Sequence, residues 1–265
     1  MPHDTWRLLI DTAERGATNM ARDEAIAAAC GRGAAPPTLR LYRWRPACLS
    51  LGRFQRSAEL DRAACARAGV EVVRRPSGGR ALLHDDELTY AVVAPLDHPL
   101  LGAGSILESY RQISLALLAA LRRLGADAAL TPVGRERRVA GSAACFDAPA
   151  AYELTVDGRK LAGSAQTRRE GAILQHGAIP LTPHADRLAA LLLRPPADLG
   201  EKMIALDQAI GRAAGFDEVA GALTAGFGAA WGVAFEPGEL ADEERAIERR
   251  LRDEKYESES WTYAR

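Results

Sequence analysis

The stretch RRPSGGRALLHDDELTYAVVAP, residues 74–95, decides the fold. VEVVRR at 70–75 leads into it, and LTYAVVAP at 88–95 alternates side chains as a β-strand does. Gly78 and Gly79 lie between these two segments, where glycine permits positive φ or the close approach of a ligand to the main chain. We therefore predict two strands separated by a glycine-containing turn.

Working outward, the same periodicities predict further elements on both sides. Strands are expected in WRLLID (6–11), in a hairpin of LRLYRW (39–44) and CLSLGR (48–53) around Pro46, in AYELTV (151–156) and RKLAGSAQ (159–166) joined by a turn at Asp157-Gly158, and in AILQHGAIPL (172–181). Helices are expected from an Asn19 cap to Cys30, from Ser57 to about Ala68, from Ser105 to Leu124 with a stripe of Ile106, Tyr110, Ile113, Leu117 and Leu121, and as a solvated helix over 239–256. Strands followed by grouped helices predict one α+β domain over residues 1–265, with a core at about 33–248.

The composition argues against two classes of function, nucleic-acid binding and membrane insertion. The formal net charge of the 265 residues is -1, which argues against a generally basic nucleic-acid-binding protein. No apolar run approaches the roughly 20 residues of a membrane span, and the first residues lack a signal-peptide pattern. We expect a cytoplasmic protein that binds neither nucleic acid nor membrane.

The sequence offers few metal ligands at useful spacing. Cys30, Cys48 and Cys65 are widely separated and lie in apolar surroundings, so we interpret them as core side chains. The residues HDDE at 84–87 are consecutive, and consecutive residues of a strand cannot all face one ion. We expect no metal and no cofactor.

Cys145 and Lys160 are the candidates for chemistry. Only Lys160, Lys202 and Lys255 are lysines among 34 basic residues, so a lysine beside a hairpin turn is unusual in this chain. A nearby ammonium would stabilise the Cys145 thiolate, the nucleophilic form of a thiol whose pKa is ordinarily about 8.5. An exposed hairpin lysine and an inert core cysteine are the alternatives that the residues leave open.

Five ordered blocks resemble the biotin/lipoate protein ligase and octanoyltransferase superfamily, most closely the octanoyltransferases of bacterial lipoate synthesis. The blocks are WRLLIDTAERGATNMARDEAI (6–26), RRPSGGRALLHDDELTYAV (74–92), CFDAPAAYEL (145–154), GRKLAGSAQTR (158–168) and ILQHGAIPL (173–181). The resemblance implies a mixed β-sheet packed with helices, related to the catalytic domain of class II synthetases.

The resemblance also implies roles and partners. Cys145 would carry the acyl group as a thioester, and Lys160 would lower the pKa of its thiol. Octanoyl-acyl carrier protein would be the donor, and a lipoyl-domain protein such as glycine cleavage protein H the acceptor of a monomeric enzyme. Residues implied in substrate binding are Arg75, Ser77, Gly78, Gly79, His84, Gly163, Ser164, Ala165 and His176. His84 or His176 is a candidate to take a proton from the acceptor amine.

Three other functions share these features. An ATP-dependent lipoate ligase resembles the chain at GRKLAGSA, but its glycine loop reads GGG followed by HDxGN, whereas this chain has Arg80 and HDDEL. An amidotransferase that moves octanoyl between lipoyl domains also uses a cysteine. A non-catalytic acyl-binding module on the same fold would form no covalent adduct.

Overall fold

The computed structural model of the chain describes residues 5–102, 104–132 and 151–264. Its strands are β1 Thr5–Ile10, β2 Thr38–Tyr42, β3 Cys48–Leu51, β4 Glu71–Arg74, β5 Leu82–His84, β6 Glu87–Pro95, β7 Ala129–Leu130, β8 Leu154–Val156, β9 Arg159–Lys160, β10 Gly163–Arg169, β11 Ala172–Pro180 and β12 Ala234–Pro237. Its helices are α1 Gly16–Gly31, α2 Arg62–Arg67, α3 Ile106–Arg123, α4 Ala185–Ala189, α5 Leu199–Lys202, α6 Leu206–Ile210, α7 Phe216–Trp231, α8 Asp242–Leu251 and α9 Glu259–Thr262. The predicted α+β class is confirmed.

A six-stranded mixed sheet forms the centre, in the order β10-β11-β6-β2-β1-β12. β1 is parallel to both β2 and β12, while β6 pairs antiparallel with β2 and β11. The strands β6 and β11 pair along nine residues, from Pro95 opposite Ala172 to Glu87 opposite Pro180. These two strands are the segments whose apolar patterns the sequence shows most clearly, and both predictions are confirmed.

Helices cover both faces of this sheet. Side chains of a strand alternate between the two faces, so each face presents its own set of residues to the helices. Leu88, Tyr90 and Val92 of β6 pack into the cluster that includes α3 and α7, whereas Ala91 and Val93 pack into the cluster that includes α1. A strand buried on both faces reads as a nearly continuous apolar run. This burial explains why 88–95 contains so few polar residues.

Two three-stranded sheets flank the central one, in the orders β4-β3-β5 and β7-β8-β9. β8 and β9 form the predicted hairpin, and Asp157 and Gly158 both have positive φ, 51° and 75°, as a type I′ turn requires. The hairpin turn is confirmed, but the predicted strand RKLAGSAQ (159–166) is divided, because β9 ends at Lys160 and β10 from Gly163 belongs to the central sheet.

The hairpin predicted around Pro46 is wrong. β2 pairs with β1 and β6 in the central sheet, whereas β3 pairs with β4 and β5. Adjacent apolar runs indicated two strands correctly, but strand pairing depends on distant segments that the local pattern does not contain.

The predicted N-cap at Asn19 is also wrong, because α1 begins three residues earlier and Asn19 is fully buried inside it. The Asn19 side-chain amide donates to the main-chain oxygens of Glu14 and Arg43. The expected helix from Ser57 is instead a 3₁₀ turn followed by α2, where the Asp61 side chain accepts from the Ala64 amide.

Two other helices differ in part from expectation. The helix predicted from Ser105 to Leu124 is confirmed as α3, with Ser105 as its N-cap and Ile113 fully buried, but Ile106 at the start of the stripe is 56 % exposed. The run 239–256 is helical but not simply solvated, because the fully buried Glu244 accepts two hydrogen bonds from Arg7, at 2.6 and 2.7 Å. Within the described ranges, no helix combines the length and apolar character needed to cross a bilayer.

The contact between α3 and α7 gives a stability prediction with a matched control. A Cβ at Gly226 would lie 2.6 Å from the Ala120 Cβ, whereas a Cβ at Gly221 on the same helix would meet nothing within 4 Å. We expect Gly226→Ala to lower the free energy of unfolding by ~1–3 kcal/mol through overpacking. Gly221→Ala should raise it by up to ~1 kcal/mol, since alanine favours helix. Urea unfolding measures both, and equal effects would contradict this packing.

Candidate active site

Four of the five sequence blocks meet around one pocket. Its lining includes the predicted residues Arg75, His84, Gly163, Ser164, Ala165 and His176, together with Met20, Tyr42, Trp44, Ser50, Leu82, Thr89 and Gly177. The volume of the pocket is about 20 Å³, close to that of one water. A ligand larger than a water therefore requires side chains to move, and the unbranched Met20 is well suited to do so.

The carboxylate of Asp23 lies behind the pocket and organises one wall. It accepts hydrogen bonds from Arg40 at 2.6 Å, from the Tyr42 hydroxyl at 2.8 Å and from His176 Nδ1 at 2.9 Å. Burial by itself raises the pKa of Asp23, but the Arg40 guanidinium and the His176 N–H outweigh burial and hold that pKa below its ordinary value. Asp23 is therefore a buried anion.

His176 extends this network to the glycine loop. Because its Nδ1–H donates to Asp23, its Nε2 accepts from the Ser77 hydroxyl, at 2.5 Å. Burial is the main cause that lowers the pKa of His176. The arrangement holds a neutral imidazole in one tautomer and ties the loop to β11, but Ser77 is itself fully buried.

A second carboxylate–imidazole–hydroxyl chain lies across the pocket. His84 Nδ1 donates to Glu87 at 2.7 Å, and His84 Nε2 accepts from Ser50 at 2.8 Å. The Trp44 ring stacks on His84 with centroids 3.9 Å apart, and the Trp44 N–H donates to Thr89. Both ring nitrogens of His84 are thus engaged, as are those of His176.

Arg75 shapes the glycine loop. Its guanidinium is buried and donates to the main-chain oxygens of Ser50, Gly78 and Arg80. Gly79 has φ of 90°, and a Cβ there would lie 2.7 Å from the Arg75 Nη2. Gly78 and Gly79 do not line the pocket themselves. Gly79 permits the close packing of the loop on Arg75, whereas a Cβ at Gly78 would meet nothing within 4 Å.

Lys160 is buried rather than exposed on the hairpin, which excludes the surface interpretation. It is 2 % exposed, and its Nζ lies 2.5 Å from Glu153 Oε1. The ladder between β8 and β9 fixes the main chain of Lys160, whose oxygen accepts from the Ile204 amide. Lys160 does not line the pocket, although Gly163, three residues later, does.

Some predicted residues lie outside the described ranges. Cys145 is one, so its predicted position beside Lys160 stays a prediction. The sequence also suggests a basic patch for docking an acidic carrier protein, with a scattered solvated surface as the alternative, formed by Arg135, Arg137, Arg138, Arg168 and Arg169. The first three of these arginines lie outside the described ranges. Arg168 of that patch is described, and its guanidinium donates to the Ser105 main-chain oxygen and to the Ser109 hydroxyl, both at 3.0 Å. It therefore supports the start of α3.

The interpretation of the other cysteines and of the segment 84–87 follows from their contacts. Cys30, Cys48 and Cys65 are buried free thiols, and burial raises the pKa of each. In the segment 84–87 the side chains diverge, because Asp85 pairs with Arg187 and Asp86 accepts from Thr182. The cysteines are core residues, as predicted.

Sequence reasoning missed Asp23, Arg40, Tyr42 and Glu153. One signal was present, because Arg40 stands in the middle of the apolar run LRLYRW, and a charge on a buried strand requires a partner. The identity of that partner, on α1, is not visible in the strand itself.

The family model for the lipoyl protein ligase A/B catalytic domain matches residues 15–228, and the chain belongs to this family. Its relatives include the octanoyltransferase LipM of Kyrpidia tusciae, 46 % identical with 98 % of each chain covered, and that of Bacillus subtilis, 40 % identical with 100 % of each covered. A protein of T. acidophilum described as a lipoate protein ligase, solved with bound lipoic acid, superposes with a TM-score of 0.81 at 26 % identity, covering 98 % of this chain and 99 % of the other. The resemblance inferred from the five blocks is confirmed.

The buried histidines predict acid sensitivity. The pKa values of His176 and His184 are lowered from 6.5, so below pH 6.5 the unfolded chain binds protons that the folded chain does not. Stability is therefore complete above pH 6.5 and falls as the pH drops, by at most ~1.4 kcal/mol per pH unit for each histidine. Urea unfolding at pH 7.0, 6.0 and 5.5 checks this, and His176→Gln should show a shallower slope. A wild-type profile that is flat over this range would contradict the prediction.

Proposed function

We propose that the chain is an octanoyltransferase of lipoate biosynthesis that moves octanoyl from acyl carrier protein to a lysine of a lipoyl domain, such as that of glycine cleavage protein H. The observation that carries the proposal is the alignment of this chain over nearly its full length with relatives named octanoyltransferase LipM. The pocket supports it, since Met20, Trp44 and Leu82 offer an apolar lining next to the motif residues.

The first half of the reaction is acylation of the enzyme. The Cys145 thiolate attacks the carbonyl carbon of the donor thioester, the bond to the phosphopantetheine sulfur breaks, and an octanoyl-enzyme thioester remains. The Lys160 ammonium stabilises the thiolate and then the developing oxyanion. A compact ammonium fits this role in a confined site better than the broad guanidinium that the chain uses almost everywhere else.

Glu153 gives Lys160 a fixed position for this role. The carboxylate offsets part of the cost of burying the ammonium. The main chain of Lys160 is held in β9, and the main-chain oxygen of Glu153 accepts from the Thr131 amide. Arg75, Ser77, Gly78 and Gly79 hold the loop at the acyl pocket. Gly163, Ser164 and Ala165 form the wall between Lys160 and that pocket.

In the second half, the acceptor amine attacks the thioester and forms an amide. Thioester to amide is downhill, so the transfer requires no nucleotide. The chain works as one catalytic domain over residues 1–265, as a monomer, and its free thiols support a place in the cytoplasm.

An ATP-dependent lipoate ligase is the second candidate, favoured by the fold shared with the T. acidophilum protein. Such ligases have a third glycine where this chain has Arg80, whose main-chain oxygen is bound by Arg75. The amidotransferase differs from the proposed enzyme in its donor, which is an octanoylated lipoyl domain. The non-catalytic acyl-binding module differs because it forms no covalent adduct. One experiment separates the proposed enzyme from all three alternatives.

That experiment incubates the enzyme with octanoyl-acyl carrier protein in nucleotide-free buffer and follows intact mass. We expect one octanoyl group on the wild type, removable by hydroxylamine, and transfer to a lipoyl domain without ATP. Cys145→Ala should form no adduct, whereas Cys65→Ala, which removes a buried thiol of the core, should be acylated normally. Dependence on ATP with free octanoate as donor would identify a ligase, and an unmodified wild type would contradict the mechanism.

The role of Lys160 is tested by the pH at which Cys145 is half-alkylated. Lys160→Ala alone removes the ammonium that contacts the buried Glu153 carboxylate, which costs ~3–5 kcal/mol of stability and obscures the result. We therefore compare Glu153→Gln with Glu153→Gln/Lys160→Met. The midpoint should lie below the ~8.5 of a free thiol in the first and rise towards it in the second, because only the second lacks the ammonium.

Lys202→Met is the control for loss of a lysine elsewhere, since Lys202 is partly exposed and pairs with Asp198. Circular dichroism establishes that each variant is folded. Equal midpoints in the two Glu153 variants would show that Lys160 does not act on the thiol.

A further inference from the structure

A second cavity lies beside the segment that carries Lys160. Its volume is about 410 Å³, far larger than that of the acyl pocket. Its lining comes from the end of β11, from α4 and from the segment through α5 and α6: Pro180, Thr182, Pro183, His184, Ala185, Asp186, Arg187, Gly200, Met203, Ile204, Ala205 and Gln208, with Asp85 from the turn before β6.

The cavity is connected to the proposed reaction centre through the main chain. The amide of Ile204, which lines the cavity, donates to the Lys160 oxygen at 3.1 Å, and Met203 forms a β-bridge with Lys160. The cavity wall is therefore one hydrogen bond away from the backbone of the proposed catalytic lysine. Exposed Asp186 and Arg187 stand at its rim, and buried Met203 and Ile204 form its floor.

His184 is the polar side chain buried in this cavity. It is 7 % exposed, and neither ring nitrogen has a partner at hydrogen-bonding geometry, although the Thr182 main chain lies close enough to favour the protonated ring. His184 precedes α4 without capping it. An unpaired buried imidazole costs free energy unless a ligand completes it.

Each of the other histidines of the described ranges has at least one hydrogen bond through a ring nitrogen. His84 and His176 are bonded through both ring nitrogens, and His98 Nδ1 accepts from the Leu100 amide. The sequence suggested His84 or His176 as the group that takes a proton from the acceptor amine. Both of those rings are bonded to a carboxylate and a hydroxyl, whereas both nitrogens of His184 are buried without a hydrogen-bond partner, so a ligand amine reaches them when the ring turns towards the cavity.

The chemistry of the cavity favours an amine on an apolar stem. Asp85 and Asp186 provide carboxylates, and the cation at the rim, Arg187, already pairs with Asp85. Because carboxylates outnumber cations in this lining, an anionic ligand such as a phosphate is disfavoured. Within the described part of the chain no group of three side chains is arranged to hold a metal ion, which disfavours a cation of that kind. A lysine side chain matches the apolar floor with its methylenes and the imidazole with its amine.

We propose that this cavity binds the acceptor lysine and that His184 is the base that deprotonates it, a step that rests on the octanoyl transfer proposed above. The lysine ammonium gives one proton to His184. The free amine then forms the C–N bond at the thioester carbonyl while the C–S bond breaks. The second N–H proton leaves with the Cys145 sulfur, and His184 returns its proton to solvent.

The test separates the two halves of the reaction. Octanoyl-enzyme is first formed with octanoyl-acyl carrier protein, and Nα-acetyl-lysine methylamide or a lipoyl domain is then added, with intact mass recorded over time. We expect His184→Gln to be acylated at the wild-type rate but to lose ~100-fold or more in transfer, as removal of a general base does. His98→Gln, the same change at another buried histidine, is the matched control and should retain transfer.

A second variant fills the cavity without touching His184. A Cβ at Gly200 would meet only the Ala185 Cβ, at 3.9 Å, so Gly200→Leu places a side chain there without a backbone clash. We expect Gly200→Leu to be acylated normally and to transfer ~100-fold more slowly, because the lysine is displaced, while Gly200→Ala stays near wild type. This variant decides the question if His184→Gln does not fold.

The outcomes distinguish the two proposals. If the wild type forms no octanoyl-enzyme, the proposed function itself is wrong. If the wild type is acylated and both His184→Gln and Gly200→Leu pass octanoyl to lysine within twofold of its rate, the cavity is not the acceptor site.

Discussion

The candidate site depends on the three hydrogen bonds that the Asp23 carboxylate accepts. Asp23 is fully buried in α1, and the three groups that it binds come from two strands of the central sheet: Arg40 and Tyr42 of β2, and His176 of β11. A buried carboxylate requires such partners, because removal of one side of a buried ion pair costs ~3–5 kcal/mol. The positions of α1, of β2 and of the glycine loop beyond His176 are therefore set by one anion. An apolar contact at the same place would tolerate small shifts, whereas three directed hydrogen bonds do not.

The dependence on partners that are distant in the sequence also explains which parts of the structure the sequence predicts and which it does not. LTYAVVAP and AILQHGAIPL are strands by local pattern alone, and their burial on both faces strengthens the apolar signal. The pairing of β2 with β6 rather than with β3 is a non-local choice, and LRLYRW contains no information about it except the misplaced charge of Arg40. Asn19 illustrates the same point, because a residue that ordinarily starts helices is used here inside one to satisfy two main-chain oxygens.

For the candidate site, the sequence predicted which residues lie at the pocket better than it predicted what each of them does. The motif residues Arg75, His84 and His176 do meet at one pocket, because each lies at the end of, or within, a strand next to it. Their functions differ from simple expectation, since Arg75 binds main-chain oxygens and both imidazoles are saturated by neighbours. Which nitrogen of a histidine is free depends on a carboxylate elsewhere in the chain, and the sequence around the histidine does not reveal it.

A two-step transfer of the kind proposed imposes different demands on its two substrates. An acyl chain has no protons to exchange, so its pocket gains from histidines that are fixed by hydrogen bonds through both ring nitrogens, as His84 and His176 are. An amine arrives protonated and has to lose a proton before it is a nucleophile, so its site requires an imidazole that is not already bonded to the protein, and neither ring nitrogen of His184 has a hydrogen-bond partner. Lys160 contacts Glu153 through its ammonium and Ile204 through its main-chain oxygen. In the proposed mechanism this one ammonium serves both half-reactions, because both pass through an oxyanion on the same carbonyl.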